Sequence, residues 1–486
     1  MADFNPFTTT ATDLKALLEA GKTSSVQIVT QYLSQIDRHD PSLHALISVA
    51  PRDSVLRIAA SLDEERAEGK LRGQLHGVPI VLKVRNTLVQ RVHLLMNQDV
   101  FITASDLGMG TTAGSRALVG AKASKNAAIV QKLIDAGMII LGKTNLTEFA
   151  GMKAGNVMPG WSAVGGQTIS PYVGPIVEGE TLLGHSEVRT ETIGSIVTPA
   201  SRAALYALKP TVGVQDTEGM YALTDFFDSP GPMAKSAADV TALTEVLLGG
   251  KYDVNSSWQG LSVGFVDPGV WKMAEAMCRQ FEGTAEQMRD DYISAIAMIK
   301  EAGASVTDPV DVVDLAALAV DGQDAIMPIA FWDFNNICIP RFLGGFDQAP
   351  VQTLQDIVDF NQANHSKCLP PPYPEQGDLI KALDAKSPEE DVTVLKQKLR
   401  STGKRILDAV LSRYNINMVA APSDSPLCIH AAAAGYPIAT VPLGQLRYNN
   451  RPFGLCLVAK QGDEGSLLRF MAAWEAMVGP RPVPGL

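Results

Sequence analysis

Hydrophobic positions change their spacing along the chain, and the spacing predicts the elements. Near the start they recur at helical intervals. Leu14, Leu17 and Leu18 share one face of a helix over about Thr12 to Ala20, with Gly21 as its stop. Ser24-Ser25-Val26-Gln27 has the form of a capping box, and Val26, Val29, Leu33 and Ile36 follow at helical spacing. These two helices are expected to pack as a hairpin on the main body.

From Gly77 to about Gly250 the texture shifts to short apolar runs between glycine-rich turns. Val78-Pro79-Ile80-Val81-Leu82 and Met138-Ile139-Ile140-Leu141 read as buried strands. Ala127 to Ala136 between them reads as a helix stopped by Gly137. Such alternation predicts an α/β layered fold. Residues 251–415 read as more helical, with helices over Gln280 to Lys300 and Leu395 to Tyr414 and an extended loop at Pro370 to Pro374. Asn417 to Pro422 reads as a buried strand returning to the sheet, and Gly465 to Val478 as a closing helix. The segment Val84 to Val100 has neither a helical nor a strand period.

Composition narrows the class. The 486 residues are 46% hydrophobic, enough for one large core or two moderate ones. A net charge of −11 disfavours nucleic acid and anionic membranes as partners. No apolar run approaches the roughly 20 residues that span a bilayer, and the N-terminus lacks the form of a signal peptide. The cytosol is the expected compartment. The five cysteines are widely spaced without a CxxC, so reduced, mostly buried thiols are expected rather than a disulfide framework or zinc site.

Two residues carry candidate chemistry. Ser195 follows Gly194 in Thr190-Glu191-Thr192-Ile193-Gly194-Ser195-Ile196. Such a turn can aim several backbone N–H groups at one point, as an oxyanion hole beside a nucleophile requires. Taken alone it reads as a plain strand-to-helix turn. Lys83 ends the strand Val78 to Leu82. It is either a surface amine leaving a strand end or a buried amine with a lowered pKa that serves as a base. Of the seven histidines none stands in a metal-ligand spacing. His185 reads as a solvated loop residue, and His430, inside a run of small residues, as structural.

The succession of motifs identifies a resemblance. After Lys83 come Gly108-Met109-Gly110-Thr111-Thr112-Ala113-Gly114-Ser115 and Gly142-Lys143-Thr144-Asn145-Leu146-Thr147-Glu148-Phe149-Ala150. Gly165-Gly166-Gln167, the Gly194-Ser195 turn, Ala207 to Gly213 and Asp228 to Ala234 follow. Ala434 to Gly444 and Arg451 to Leu455 close the series. This order resembles the amidase-signature family over nearly the whole chain, and the C-terminal half is similar to fungal members.

The resemblance implies a single domain over 1–486. Residues 10–60 would form N-terminal helices, 70–250 the signature core, 251–415 a variable helical region and 416–486 the return to the sheet. It implies a large twisted mixed β-sheet covered by α-helices on both sides. It also implies cofactor-free hydrolysis of a small-molecule carboxylic amide to the carboxylate and ammonia or an amine. Lys83 would be the base and Ser195 the nucleophile, acting through a bridging serine. The N–H groups of Thr192, Ile193, Gly194 and Ser195 would form the oxyanion hole, and Asn145 to Ala150 would border the substrate pocket. Homodimers are common among such enzymes. The fungal character extends the expectation to nitrogen use or natural-product tailoring.

Two departures bear on catalysis. The family's serine-rich loop, which holds the bridging serine, has no counterpart: Glu178 to Arg189 runs straight into Thr190. Ser186 does not match the motif, so no bridging serine is assigned. The family's Lys-Asp-Asn is replaced by Lys83-Val84-Arg85, and Thr111 stands 28 positions after Lys83. Val84 to Val100 therefore reads as an insertion. The alternative to an active amidase is an impaired family member with a binding role, either a pseudoenzyme or the product of a faulty gene model. A third reading, one component of a transamidase, gains nothing from the middle region. Phe331, Trp332 and Phe334 are candidates either for a pocket wall or for ordinary core.

Overall fold

The computed structural model describes residues 4–82, 94–97, 107–123, 125–173, 194–272, 281–371 and 373–486. Its strands are β1 (Leu46–Val49), β2 (Pro79–Leu82), β3 (Leu94–Asn97), β4 (Ile139–Thr144), β5 (Trp161–Ser162), β6 (Gly166–Gln167) and β7 (Tyr206–Lys209). They continue with β8 (Gly231–Ala234), β9 (Ser262–Phe265), β10 (Ser305–Thr307), β11 (Met418–Pro422), β12 (Ile438–Gln445) and β13 (Pro452–Ala459). Apart from the small β5–β6 pair, all belong to one sheet of order β1-β4-β2-β3-β8-β7-β12-β13-β11-β9-β10. The β2–β4, β2–β3, β9–β11 and β9–β10 pairings are parallel and the rest antiparallel, so the sheet is mixed.

Strand periodicity explains why helices cover both faces. Along β11, Met418 and Ala420 enter one apolar cluster and Val419 and Ala421 another. Along β13, Leu455, Leu457 and Ala459 join the first cluster, and Cys456 and Val458 the second. Successive side chains of a strand point to opposite faces, so strands apolar at every position need cover on both. The first cluster is completed by helices Ser25–Leu43, Ala237–Leu248, Thr284–Glu301 and Glu464–Val478. The second is completed by Glu389–Tyr414 and Leu427–Ala434.

The opening hairpin forms as its pattern predicts. Its first helix is Ala11–Glu19, capped by the Thr10 hydroxyl, and the second has a capping box at Ser24 and Gln27. The hairpin is pinned to the body by Asp239, whose carboxylate accepts from the N–H groups of Ala11 and Thr12 at 2.9 Å each. The predicted strands at Val78, Met138 and Asn417 and the closing helix also form, with ends shifted by a few residues.

The structure corrects two expectations. Within the segment read as lacking any period, Leu94–Asn97 is a strand, parallel to β2 and antiparallel to β8. Its run Leu-Leu-Met-Asn is too short to show a period, and pairing on both sides decides it. The region 251–415 supplies two strands besides its helices, β9 and β10, which extend the sheet beyond β11. The predicted helix at Gln280 begins at Thr284. Among the described residues no helix is long and apolar enough to cross a membrane.

Candidate active site

Gly194, Ser195 and Ile196 form the turn that leads into the short helix Val197–Ser201. Gly194 has φ +95°, a region open to glycine and strained for other residues. Space makes the same demand: a Cβ there would lie 3.1 Å from Cys428 Sγ and 3.2 Å from Thr198 Oγ1. The Gly194 carbonyl accepts from the Thr198 N–H at 2.9 Å and starts the helix. Ser195 is 9% exposed.

The small-residue helix Leu427–Ala434 gives this turn its backing. Every residue of that helix is buried, and its alanines allow close approach. Asp424 clamps the two parts. Its Oδ1 accepts from Arg202 at 3.1 Å, and its Oδ2 lies 3.5 Å from an Arg451 nitrogen. Arg202 follows the Ser195 helix directly, so the clamp fixes that helix relative to the turn before Leu427.

A cavity of about 670 Å³ lies beside this arrangement. Ile429, next to Cys428, lines it, as do Phe227, Leu223, Thr147 and Ala150. Val197, two residues after Ser195, packs in the same apolar cluster as Phe227 and Ile429. The segment Asn145 to Ala150 lines this cavity through Thr147 and Ala150. Its shape is unusual: Phe149 and Ala150 have φ +49° and +58°. Three contacts hold it there. The Phe149 N–H donates to Ala113 at 2.9 Å, the Phe149 carbonyl accepts from the Tyr221 hydroxyl at 3.1 Å, and the Ala150 N–H donates to Thr147 at 2.7 Å. Gly114 (φ +77°) lets the 111–115 loop pack on this segment, since a Cβ would come within 2.8 Å of Leu146 Cδ2.

Buried charge adjoins lining residues along the chain: Glu148 follows Thr147, and Lys153 follows Met152. Glu148 and Lys153 form an ion pair at 2.8 Å with both side chains fully buried. Glu148 also accepts from the Ala163 N–H at 3.0 Å, and Lys153 donates to the Cys368 carbonyl. Burial raises the Glu148 pKa, against the pull of Lys153 and the Ala163 N–H. Lys143 at the end of β4 donates to the Gly110 carbonyl at 3.0 Å and to the Thr111 hydroxyl, and burial lowers its pKa to about 7.

Sequence reasoning quoted Lys209 only as part of a motif. It is buried at the end of β7, and its Nζ has no hydrogen-bond partner among the described residues. Burial lowers its pKa to about 8, opposed by Asp228. The Asp228 carboxylate accepts from the Leu223 N–H at 2.8 Å and so shapes the cavity wall. The signal for Lys209 was its place in an apolar strand, the same signal that singled out Lys83.

The structure brings Gly194 and Ser195 to one turn. Lys83, Thr192, Ile193, His185 and Ser186 lie outside the described residues. His430 is buried against Trp271, with ring centroids 5.6 Å apart, as a structural residue would be. Trp332 and Phe334 belong to the core, while Phe331 is half-buried beside it. The pocket wall on that helix is made instead by Ile326, Met327 and Ala330. Cys338, Cys368, Cys428 and Cys456 are buried free thiols. Among the described residues no group of three or more His, Cys, Asp or Glu side chains is placed to hold a metal ion.

Comparison with known proteins gives a consistent picture. The Amidase family model matches residues 27–92, 103–173 and 187–298. A protein named as an amidase in Schizosaccharomyces pombe is 26% identical over 532 aligned positions, covering 98% of this chain and 86% of the relative. Another, in Arthroderma benhamiae, is 28% identical over 450 aligned positions, covering 87% of this chain and 72% of the relative. The solved peptide amidase of Stenotrophomonas maltophilia is 29% identical with a TM-score of 0.78, covering 98% of each chain.

Proposed function

The chain belongs to the amidase family, with the amidase-signature fold, and from that premise we propose that it hydrolyses a carboxylic amide through an acyl-enzyme on Ser195. The hydrolysis of amides in general is what the family and its structural neighbours support. The observation that carries the finer reading is the placement of Ser195: it follows a glycine at φ +95°, is itself buried, and leads into a helix whose Val197 packs with the cavity-lining residues Phe227 and Ile429.

In the proposed reaction the Ser195 hydroxyl gives its proton to the Lys83 amine, and its oxygen attacks the amide carbonyl carbon. The new C–O bond turns the carbonyl into an oxyanion. The backbone N–H groups of Thr192, Ile193, Gly194 and Ser195 would receive that charge, and each such donor is worth roughly 100- to 1000-fold in rate. Collapse breaks the C–N bond, and ammonia or an amine leaves with the proton returned by Lys83. Water then attacks the ester, gives the carboxylate and restores Ser195. The similarity to a peptide amidase favours peptide amides as substrates.

A second reading is favoured by one observation. Glu178 to Arg189 runs into Thr190 without a serine-rich loop, so no serine is matched to bridge Lys83 and Ser195. Misplaced general-base assistance forfeits roughly 100- to 10,000-fold, and a chain so impaired would keep a binding role. Two measurements separate the readings: ammonia release from N-acetyl-leucinamide, and Ser195-dependent labelling by a fluorophosphonate probe. Turnover with labelling supports the amidase. Neither supports the impaired reading. Sequencing the transcript across 80–112 and 170–196 then decides whether the loop is missing from the gene or only from its predicted splicing.

A further inference from the structure

The cavity lined by Ile429 and Phe227, which pack with Val197 of the helix after Ser195, has one-sided chemistry. Its walls include Met152, Leu223, Phe227, Leu318, Met327 and Ile429. Among the described residues the charged members of its lining are Asp324 and Asp378, and no lysine, arginine or histidine joins them. The hydroxyl of Thr147, a further polar side chain of the lining, already accepts from the Gly160 N–H at 2.8 Å. The exposed part of the lining is apolar and acidic: Leu315 and Met327 are 36% and 42% exposed, and Asp324 is exposed with them.

Resting on the amidase reading, we infer that this cavity is the substrate's side-chain site and that it selects amides bearing a bulky apolar group while rejecting those bearing a carboxylate. An apolar group entering the cavity leaves water for Met, Leu, Phe and Ile side chains, which is favourable in proportion to its area. Among the described residues of the lining, a carboxylate would find no cation to replace its lost hydration. It would also meet two carboxylates of its own sign. Asp324 accepts from the N–H groups of Ile326 and Met327 at 3.0 and 3.3 Å, which fixes its position at the rim. Asp378 is held by Lys381 at 2.7 Å. That lysine is thereby committed, and lies 5.9 Å from the centre of the Phe331 ring. A volume of about 670 Å³ is within the range of small-molecule sites and holds more than one side chain.

The test compares N-acetyl-leucinamide, N-acetyl-glutaminamide and N-acetyl-glutamic α-amide, the last two being alike in size and unlike in charge. Ammonia release gives kcat/KM for the wild type and for Met327→Lys, and calorimetry gives the affinity of Ser195→Ala for the same three amides. The leucine amide is expected to exceed the glutamate amide by about tenfold or more in both measurements, with the glutamine amide between. Met327→Lys, which places a cation at the rim, is expected to narrow the leucine-to-glutamate ratio by about threefold or more. Equal or reversed preference for the glutamate amide overturns the inference. Absence of turnover on all three amides counts against the amidase reading alone, because binding to Ser195→Ala still decides the cavity's selectivity. If none of the three binds, the cavity is not the side-chain site.

Discussion

Cys428 and Gly194 fit so closely that a Cβ on Gly194 would project to 3.1 Å from the Cys428 sulfur. The contact joins the turn that carries Ser195 to the helix that carries the cavity wall residue Ile429. Gly194→Ala is expected to strain the backbone by about 1–2 kcal/mol at its positive φ and to press the turn away from Cys428. The expected outcome is a lower Tm and a loss of amidase activity of tenfold or more. Adding Cys428→Ala should recover part of the stability by opening space, and little of the activity, because the strain at φ +95° remains. Thermal melts and ammonia release on the single and double variants check this.

Ser195→Ala removes the proposed nucleophile without adding bulk, since a methyl fits where a hydroxymethyl stood. Amide hydrolysis should fall by about 1000-fold or more, fluorophosphonate labelling should vanish, and the Tm should stay within a few degrees. A variant that keeps wild-type turnover would remove Ser195 from the mechanism.

The Glu148–Lys153 pair is fully buried, so breaking it from one side leaves a charge without compensation. Lys153→Met should cost about 3–5 kcal/mol in denaturant unfolding. Glu148→Gln combined with Lys153→Met should cost clearly less than the two single losses summed, because no uncompensated charge remains. Additive losses would contradict this account of the pair.

Lys209 gives a pH signature. Its folded pKa is lowered to about 8 from an ordinary 10.5. Below about pH 8 both folded and unfolded chains carry the proton, and the folded state bears the full cost of burying it. Between about 8 and 10.5 the unfolded chain binds more protons than the folded one, so stability rises with pH. Lys209→Met removes this burden, with a gain of about 1–3 kcal/mol near neutrality that shrinks as pH rises toward 10. Melts of both proteins from pH 7 to 10 measure the difference, and a gain independent of pH would exclude Lys209 as its source.

Much of the architecture was legible in local pattern. The capping box at Ser24 and Gln27, the strand before Lys83 and the closing helix followed from spacing alone, because each is fixed by interactions within a few residues. Strands β3, β9 and β10 were not. Leu94–Asn97 and Ser305–Thr307 are short, and a run of three or four residues carries no period; their neighbours' unpaired edges recruit them.

The sequence by itself determined the family, the α/β class and the identity of Ser195 as a candidate, because an ordered series of motifs survives without any knowledge of distance. Tertiary structure alone decided what surrounds Ser195. That Cys428 backs its turn, that Ile326, Met327 and Ala330 rather than Phe331, Trp332 and Phe334 face the cavity, and that Lys209 loses its hydration are consequences of contacts between segments far apart in the chain. The physical reason is the same in each case. Which face of a helix meets a void, and which charge is stripped of water, depends on packing against distant partners, and hydrophobic periodicity records only that a face is buried.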